Sequence, residues 1–177
     1  QPGVEDSYPA SLIVVGGRIF FAANDGTNGI ELWKSDGTSN GTVLVKDIAA
    51  GSDAAGIASL TDVAGKLFFS ANDGTNGAEL WQSDGTPGGT VLVKDIRPGG
   101  NSSWPQSLIA IGTTLYFWAD DGSSGAELWR SDGTGAGTFM VGNINATIQS
   151  SWPQGFAPVG SVAFFSGTDG EHGAELW

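Results

Sequence analysis

The tripeptide Glu-Leu-Trp recurs four times in this chain, ending at Trp33, Trp81, Trp129 and Trp177, always 48 residues apart. A fixed period of this length is the mark of a repeat architecture, and it governs every other reading of the sequence. Cut at that period, the chain falls into units 1–48, 49–96, 97–144 and a partial unit 145–177, which align without a gap. Units one and two agree at 25 of their last 32 columns, far beyond what shared composition produces. The invariant columns include Phe21, Phe69, Phe117 and Phe165, and Asp25, Asp73, Asp121 and Asp169, each aspartate followed by glycine.

Within unit one the period of apolar residues is two, not 3.6. Four strands are expected, at Ser11–Val15, Arg18–Ala23, Ile30–Lys34 and Thr42–Ile48. Gly16-Gly17 reads as a two-residue hairpin turn. Asn24–Gly29 and Ser35–Gly41 are turn clusters, rich in residues that take positive φ or bond their own backbone. Alternation places Glu31 and Trp33 on one strand face and Leu32 on the other. Phe20 and Phe21 stand side by side, so both sheet faces need an apolar partner. Four short antiparallel strands in 48 residues, apolar on both faces, describe one blade of a β-propeller. The expected fold is therefore all-β: one repeat domain over residues 1–177, with three complete blades and a fourth lacking its last strand. The glycine content, 29 residues, fits tight turns, while 40% hydrophobic residues argue against disorder.

Charge and composition narrow the function. The net charge of −12 argues against nucleic-acid phosphates as partners. No stretch is apolar enough for membrane insertion. Without cysteine there is no thiolate metal site or disulfide. Eleven of the nineteen acids fall in the columns of Asp25, Glu31 and Asp36, so the acidity belongs to the repeat.

The repeated motif Glu31-Leu-Trp-Lys-Ser-Asp-Gly-Thr38, with its counterparts at 79–86 and 127–134, resembles the bacterial ELWxxDGT repeat proteins. The resemblance implies propeller-type arrays in secreted or surface-attached proteins. It implies an extracellular or cell-surface location and no defined chemistry.

Candidate sites follow, each with its alternatives. Glu31, Glu79, Glu127 and Glu175 either line a channel for a cation or sugar, or accept hydrogen bonds from turn amides or from hydroxyls of the Ser-Asp-Gly-Thr loop. Asp25, Asp73, Asp121 and Asp169 lead loops with some character of a Ca²⁺ site, the one cofactor considered; ordinary turn chemistry is the other reading. Trp33, Trp81, Trp129 and Trp177 read as blade-to-blade core. The column Tyr8, Gly56, Trp104, Trp152 departs from the repeat; its aromatics precede prolines in the loops between blades, as a sugar platform, a subunit contact or a plug. Asn40, Asn101 and Asn145 fit the glycosylation sequon. His172, the only histidine, has no partner for a metal site, and no non-repeated cluster suggests catalysis. The partners expected are further copies of the chain, other surface proteins, or glycans. With the last strand absent after Trp177, the segment either belongs to a longer chain, a larger propeller or array, or leaves an edge open, where pairing would build a surface fibre.

Overall fold

The computed structural model describes residues 6–146, 148–160 and 162–177. They form fifteen strands in four separate antiparallel sheets. The first sheet holds β1 (Ala10–Val15), β2 (Arg18–Asn24), β3 (Ile30–Ser35) and β4 (Val43–Lys46), in that spatial order. The second repeats it with β5 (Ala58–Val63), β6 (Lys66–Asn72), β7 (Ala78–Ser83) and β8 (Val91–Lys94). The third holds β9 (Gln106–Ile111), β10 (Thr114–Asp120), β11 (Ala126–Ser131) and β12 (Phe139–Gly142). The fourth has β13 (Gln154–Val159), β14 (Val162–Thr168) and β15 (Ala174–Leu176). Each sheet is a meander of up-and-down strands, and each occupies one 48-residue unit. The fold is a propeller-type tandem repeat.

The turns fix the register. Gly16 and Gly17 both sit at positive φ, as a two-residue type I′ turn requires, and they pair Val15 with Arg18. Phe21 then pairs with Trp33 across β2 and β3, as Phe69 does with Trp81 and Phe117 with Trp129. The fourth strand is shorter than its apolar run. It closes at Lys46 rather than Ile48, because the amides of Ile48 and Ala49 turn away to donate to the Glu31 carboxylate.

Blades stack face to face. Val15, Phe20, Leu32 and Val45 of the first blade share one buried cluster with Leu67, Phe69 and Trp81 of the second. Val63, Phe68, Leu80 and Val93 share another with Leu115, Phe117 and Trp129 of the third. The first strands of successive blades, β1, β5, β9 and β13, are neighbours across the joints. Both faces of β2 are thereby apolar for different reasons: Phe20 packs forward onto the next blade, and the Phe21 column packs back onto the previous one. Trp81 and Trp129 are buried in these joints, whereas Trp33 is half-buried and Trp177 exposed.

Candidate functional site

The repeated polar residues gather at two ends of each blade. The β2–β3 turn and the linker to the next blade meet at one end. The β1–β2 and β3–β4 turns occupy the other.

At the first end stands the glutamate column. Glu31, Glu79 and Glu127 are fully buried. Glu79 accepts hydrogen bonds from the amides of Ile96 (2.9 Å) and Ser103 (2.8 Å) and from the Ser103 hydroxyl (2.6 Å). Glu127 repeats this with Ile144 (3.0 Å), the Ser151 amide (3.1 Å) and the Ser151 hydroxyl (2.7 Å). Each carboxylate thus ties the third strand of its blade to the linker that leads into the next. The hydroxyl donors are linker serines, which corrects the expectation that they come from the Ser-Asp-Gly-Thr loop. That loop lies at the opposite end of the blade.

Glu31 is less well served. Ala55 stands where the later linkers have Ser103 and Ser151, so Glu31 lacks the hydroxyl donor and is held by backbone amides, among them those of Ile48 (2.9 Å) and Ala49 (3.1 Å). Burial pushes its carboxyl up to about 7, with Asp47 adding to the rise. Burial also raises Glu79 and Glu127, against the lowering effect of their serine hydroxyls. Ala55→Ser is expected to supply the absent donor, lower the Glu31 pKa, and stabilise the chain at neutral pH by about 1 kcal/mol. Urea denaturation of the variant, with carboxyl titration by NMR, checks both effects.

The Asp25 column lies in the adjoining turn. Asp25 Oδ1 accepts the amides of Thr27 (2.8 Å) and Asn28 (2.9 Å), and Oδ2 accepts Asn28 Nδ2 (2.7 Å). Asp73 makes the same three bonds with Thr75 and Asn76. Ser124 and His172 replace the asparagine in the later turns and still reach the carboxylates of Asp121 and Asp169. This column looks freely variable in sequence. Its shared property, a side chain able to donate to Oδ2, is the signal that reveals it. Amide donors hold the carboxyl of Asp25 below its usual value, and those of Asp73 below it despite burial. The His172 ring and two amides hold Asp169 well below the usual range. Among the described residues no three His, Asp or Glu side chains converge on one point. A Cβ on Gly29, Gly77 or Gly125 would run into the backbone of the next linker, so glycine is required where turn and linker cross.

The loop aromatics share this end. Tyr8, Trp104 and Trp152 all take positive φ, at 45°, 51° and 48°. Gly56, in the same column, has φ 61° without the steric cost. Left-handed backbone at a bulky residue is strained and persists only when its surroundings enforce it. Here the preceding serine amide is held by Glu79 or Glu127, and the amide of Trp104 donates to the Ala78 carbonyl (3.2 Å). Trp104 and Trp152 remain 57% and 54% exposed. Trp152 meets Trp118 edge to face, ring centroids 5.7 Å apart.

At the opposite end, the Ser-Asp-Gly-Thr loops form closed networks. Asp36 Oδ1 accepts the Thr38 amide and hydroxyl, the Thr38 hydroxyl accepts the Gly41 amide, and Thr42 Oγ1 donates to the Thr38 carbonyl. The loops at Asp84 and Asp132 repeat every one of these bonds.

Of the three sequons, Asn40 and Asn101 are exposed. Asn145 is 2% exposed and lies against Gly170, which leaves no room for a glycan there. Glu175 is exposed in β15 and Asp169 caps the exposed turn before it.

No protein-family model and no curated protein matches the chain. Among solved structures, a puromycin hydrolase aligns with a TM-score of 0.52 at 18% identity, over 89% of this chain and 25% of its own. A structure from work on two prolyl endopeptidases aligns at 0.51 and 12% identity, over 92% of this chain and 24% of its own. A computationally designed protein, Ika8, aligns at 0.49 and 18% identity, over 96% of this chain and 45% of its own. The chain spans a quarter to a half of the length of these structures, and the two likenesses above 0.5 are likenesses of a propeller-type fold alone.

Proposed function

We propose that this chain is a non-catalytic structural and interaction module, displayed outside a bacterial cell, that acts through its surfaces and sheet edges. One observation carries the reading. The polar residues that recur in step with the repeat are consumed in building it: the Asp25 column by its own turn, the buried glutamates by the linkers, the Asp36 column by its loop. A site for chemistry needs polar groups left over for a substrate. The likeness of the motif to ELWxxDGT repeats supplies the location. Fibre formation by strand addition at an open edge is the extended form of this reading.

A second reading, a lectin-like module, is favoured by the exposed Trp104 and Trp152 on strained backbone, since exposed aromatics stack on sugar rings. A glycan array, with and without a chelator, separates the two. The structural module leaves the array flat under both conditions. Glycan binding that Trp104→Ala and Trp152→Ala abolish replaces it with the lectin, and loss of that binding on chelation brings Ca²⁺ with it.

A further inference from the structure

The Ser-Asp-Gly-Thr loop is built alike in the first three blades, so a reactive side chain present in one copy alone is informative. The residue before the last glycine of the loop is Gly88 in the second blade and Ala136 in the third, but Asn40 in the first. Asn40 is exposed, and among the described residues no hydrogen bond holds its side chain. Gly41 follows it, and the Gly41 nitrogen is placed to close a five-membered ring on the Asn40 side-chain amide carbon. With no Cβ, nothing crowds that nitrogen. A Cβ on Gly41 would strike the Asp36 carboxylate, so the loop itself demands glycine there. The loop also supplies a path for the proton. The Gly41 amide donates to Thr38 Oγ1 (2.9 Å), and the Thr38 hydroxyl donates to Asp36 Oδ1 (2.7 Å). Both bonds recur in the second and third blades, where no side-chain amide stands beside them.

We infer that Asn40 is a self-modification site, at which the Gly41 nitrogen attacks the Asn40 side-chain amide while Thr38 and Asp36 take its proton. Thr38 Oγ1 accepts the Gly41 proton as its own passes to Asp36 Oδ1. The Gly41 nitrogen bonds to Asn40 Cγ, and the Cγ–Nδ2 bond breaks. The side-chain nitrogen takes the proton back along the same path and leaves as ammonia. Water then opens the cyclic imide at either carbonyl, leaving aspartate or isoaspartate at position 40. Either product adds a carboxylate to the loop that holds Asp36. Isoaspartate also adds a backbone carbon before Gly41, which draws its amide off Thr38 Oγ1 and loosens the loop of the first blade alone. The same dipeptide occurs at Asn28-Gly29 and Asn76-Gly77, and there the fold withholds it. Asn28 Nδ2 donates to Asp25 Oδ2 (2.7 Å) and Asn76 Nδ2 to Asp73 Oδ2 (2.8 Å), and the backbone amides of both asparagines are held by Oδ1 of the same aspartates. Gly29 and Gly77 are packed so closely on the next linker that not even a Cβ fits.

Peptide mapping by mass spectrometry tests the proposal, on the purified chain incubated at neutral pH, folded and in urea, with isoaspartate separated from aspartate by chromatography. In the folded chain Asn40 is expected to convert at least about tenfold faster than Asn28 or Asn76. In urea, where turns and relay are gone, the three are expected to convert at similar rates. Thr38→Val keeps the backbone bond to Asp36 and removes the relay, so it is expected to slow Asn40 about tenfold, while Thr38→Ser keeps the hydroxyl and the rate. Circular dichroism checks that both variants fold. A folded chain that converts the three asparagines alike overturns the proposal, as does one that converts Asn40 more slowly than the chain in urea, since the loop then protects it. A Thr38→Val chain that converts Asn40 as fast as the wild type, or faster, also overturns it, because the hydroxyl then restrains the loop without moving a proton. None of these outcomes decides between module and lectin, which the glycan array does.

Discussion

Glu79→Ala is expected to lower the free energy of unfolding by about 3–5 kcal/mol, with the denaturant slope unchanged. The carboxylate takes three donors that no water reaches: the amides of Ile96 and Ser103 and the hydroxyl of Ser103. Removing it leaves the Ile96 amide without an acceptor, at about 1–3 kcal/mol, and takes two further bonds, about 1 kcal/mol each, from the Ser103 amide and hydroxyl, which keep only the Ala78 carbonyl (3.1 and 3.5 Å). Ser103→Ala removes one bond and orphans no backbone group, so it should cost only about 1 kcal/mol. Glu31→Ala should cost less than Glu79→Ala, because Glu31 has no hydroxyl donor and already bears a burial penalty. Urea titrations of the three variants give this order directly. A Glu79→Ala chain as stable as the wild type would show that the joint does not depend on the carboxylate.

The second large effect is the pH profile. Burial raises Glu31 from 4.5 to about 7 in the folded chain, so between these values the folded state binds the proton more tightly than the unfolded state does. Stability from this group is fully present below about pH 4.5 and is lost as pH rises through 7, a decline of roughly 3 kcal/mol. The raised carboxyls of Glu79 and Glu127 add to the decline in the same direction. The turn aspartates act oppositely. Asp25, Asp36, Asp73, Asp84, Asp132 and Asp169 are held below 3.8, so their contribution is present above that value and lost as pH falls through the lowered ones. Urea midpoints should therefore peak between about pH 4 and 5 and fall on both sides. Glu31→Gln should flatten the neutral limb of that curve. A profile flat from pH 5 to 8 in the wild type would contradict the assigned burial of Glu31.

The local architecture was legible because each turn and strand is written in neighbouring residues. Gly16-Gly17 sets its hairpin, Asp36-Gly37-Thr38 closes its own loop, and alternation along Ile30–Lys34 separates Leu32 from Trp33. The joints were less legible, because they depend on residues far apart in sequence. Glu79 meets Ser103 across a 24-residue separation, and nothing in the serine's surroundings marks it as a ligand of a glutamate. Its only trace is recurrence: serine stands before the aromatic at Ser7, Ser103 and Ser151, and Ala55 breaks the column. The early end of β4 was hidden for the same reason, since Ile48 is apolar and reads as strand until the distant carboxylate claims its amide. Positive φ at Trp104 and Trp152 had one clue, Gly56 in the same column.

The central claim is that the recurring polar residues are spent on holding blades together. Native-state hydrogen exchange tests it at the amides of Ile96, Ser103, Ile144 and Ser151, the backbone donors to Glu79 and Glu127. If the carboxylates are structural joints, these four amides exchange only through global unfolding, as slowly as those in the middle of β6 and β10. Exchange at the rate of an unprotected peptide amide would show that the glutamates are free to serve a ligand, and would contradict the account.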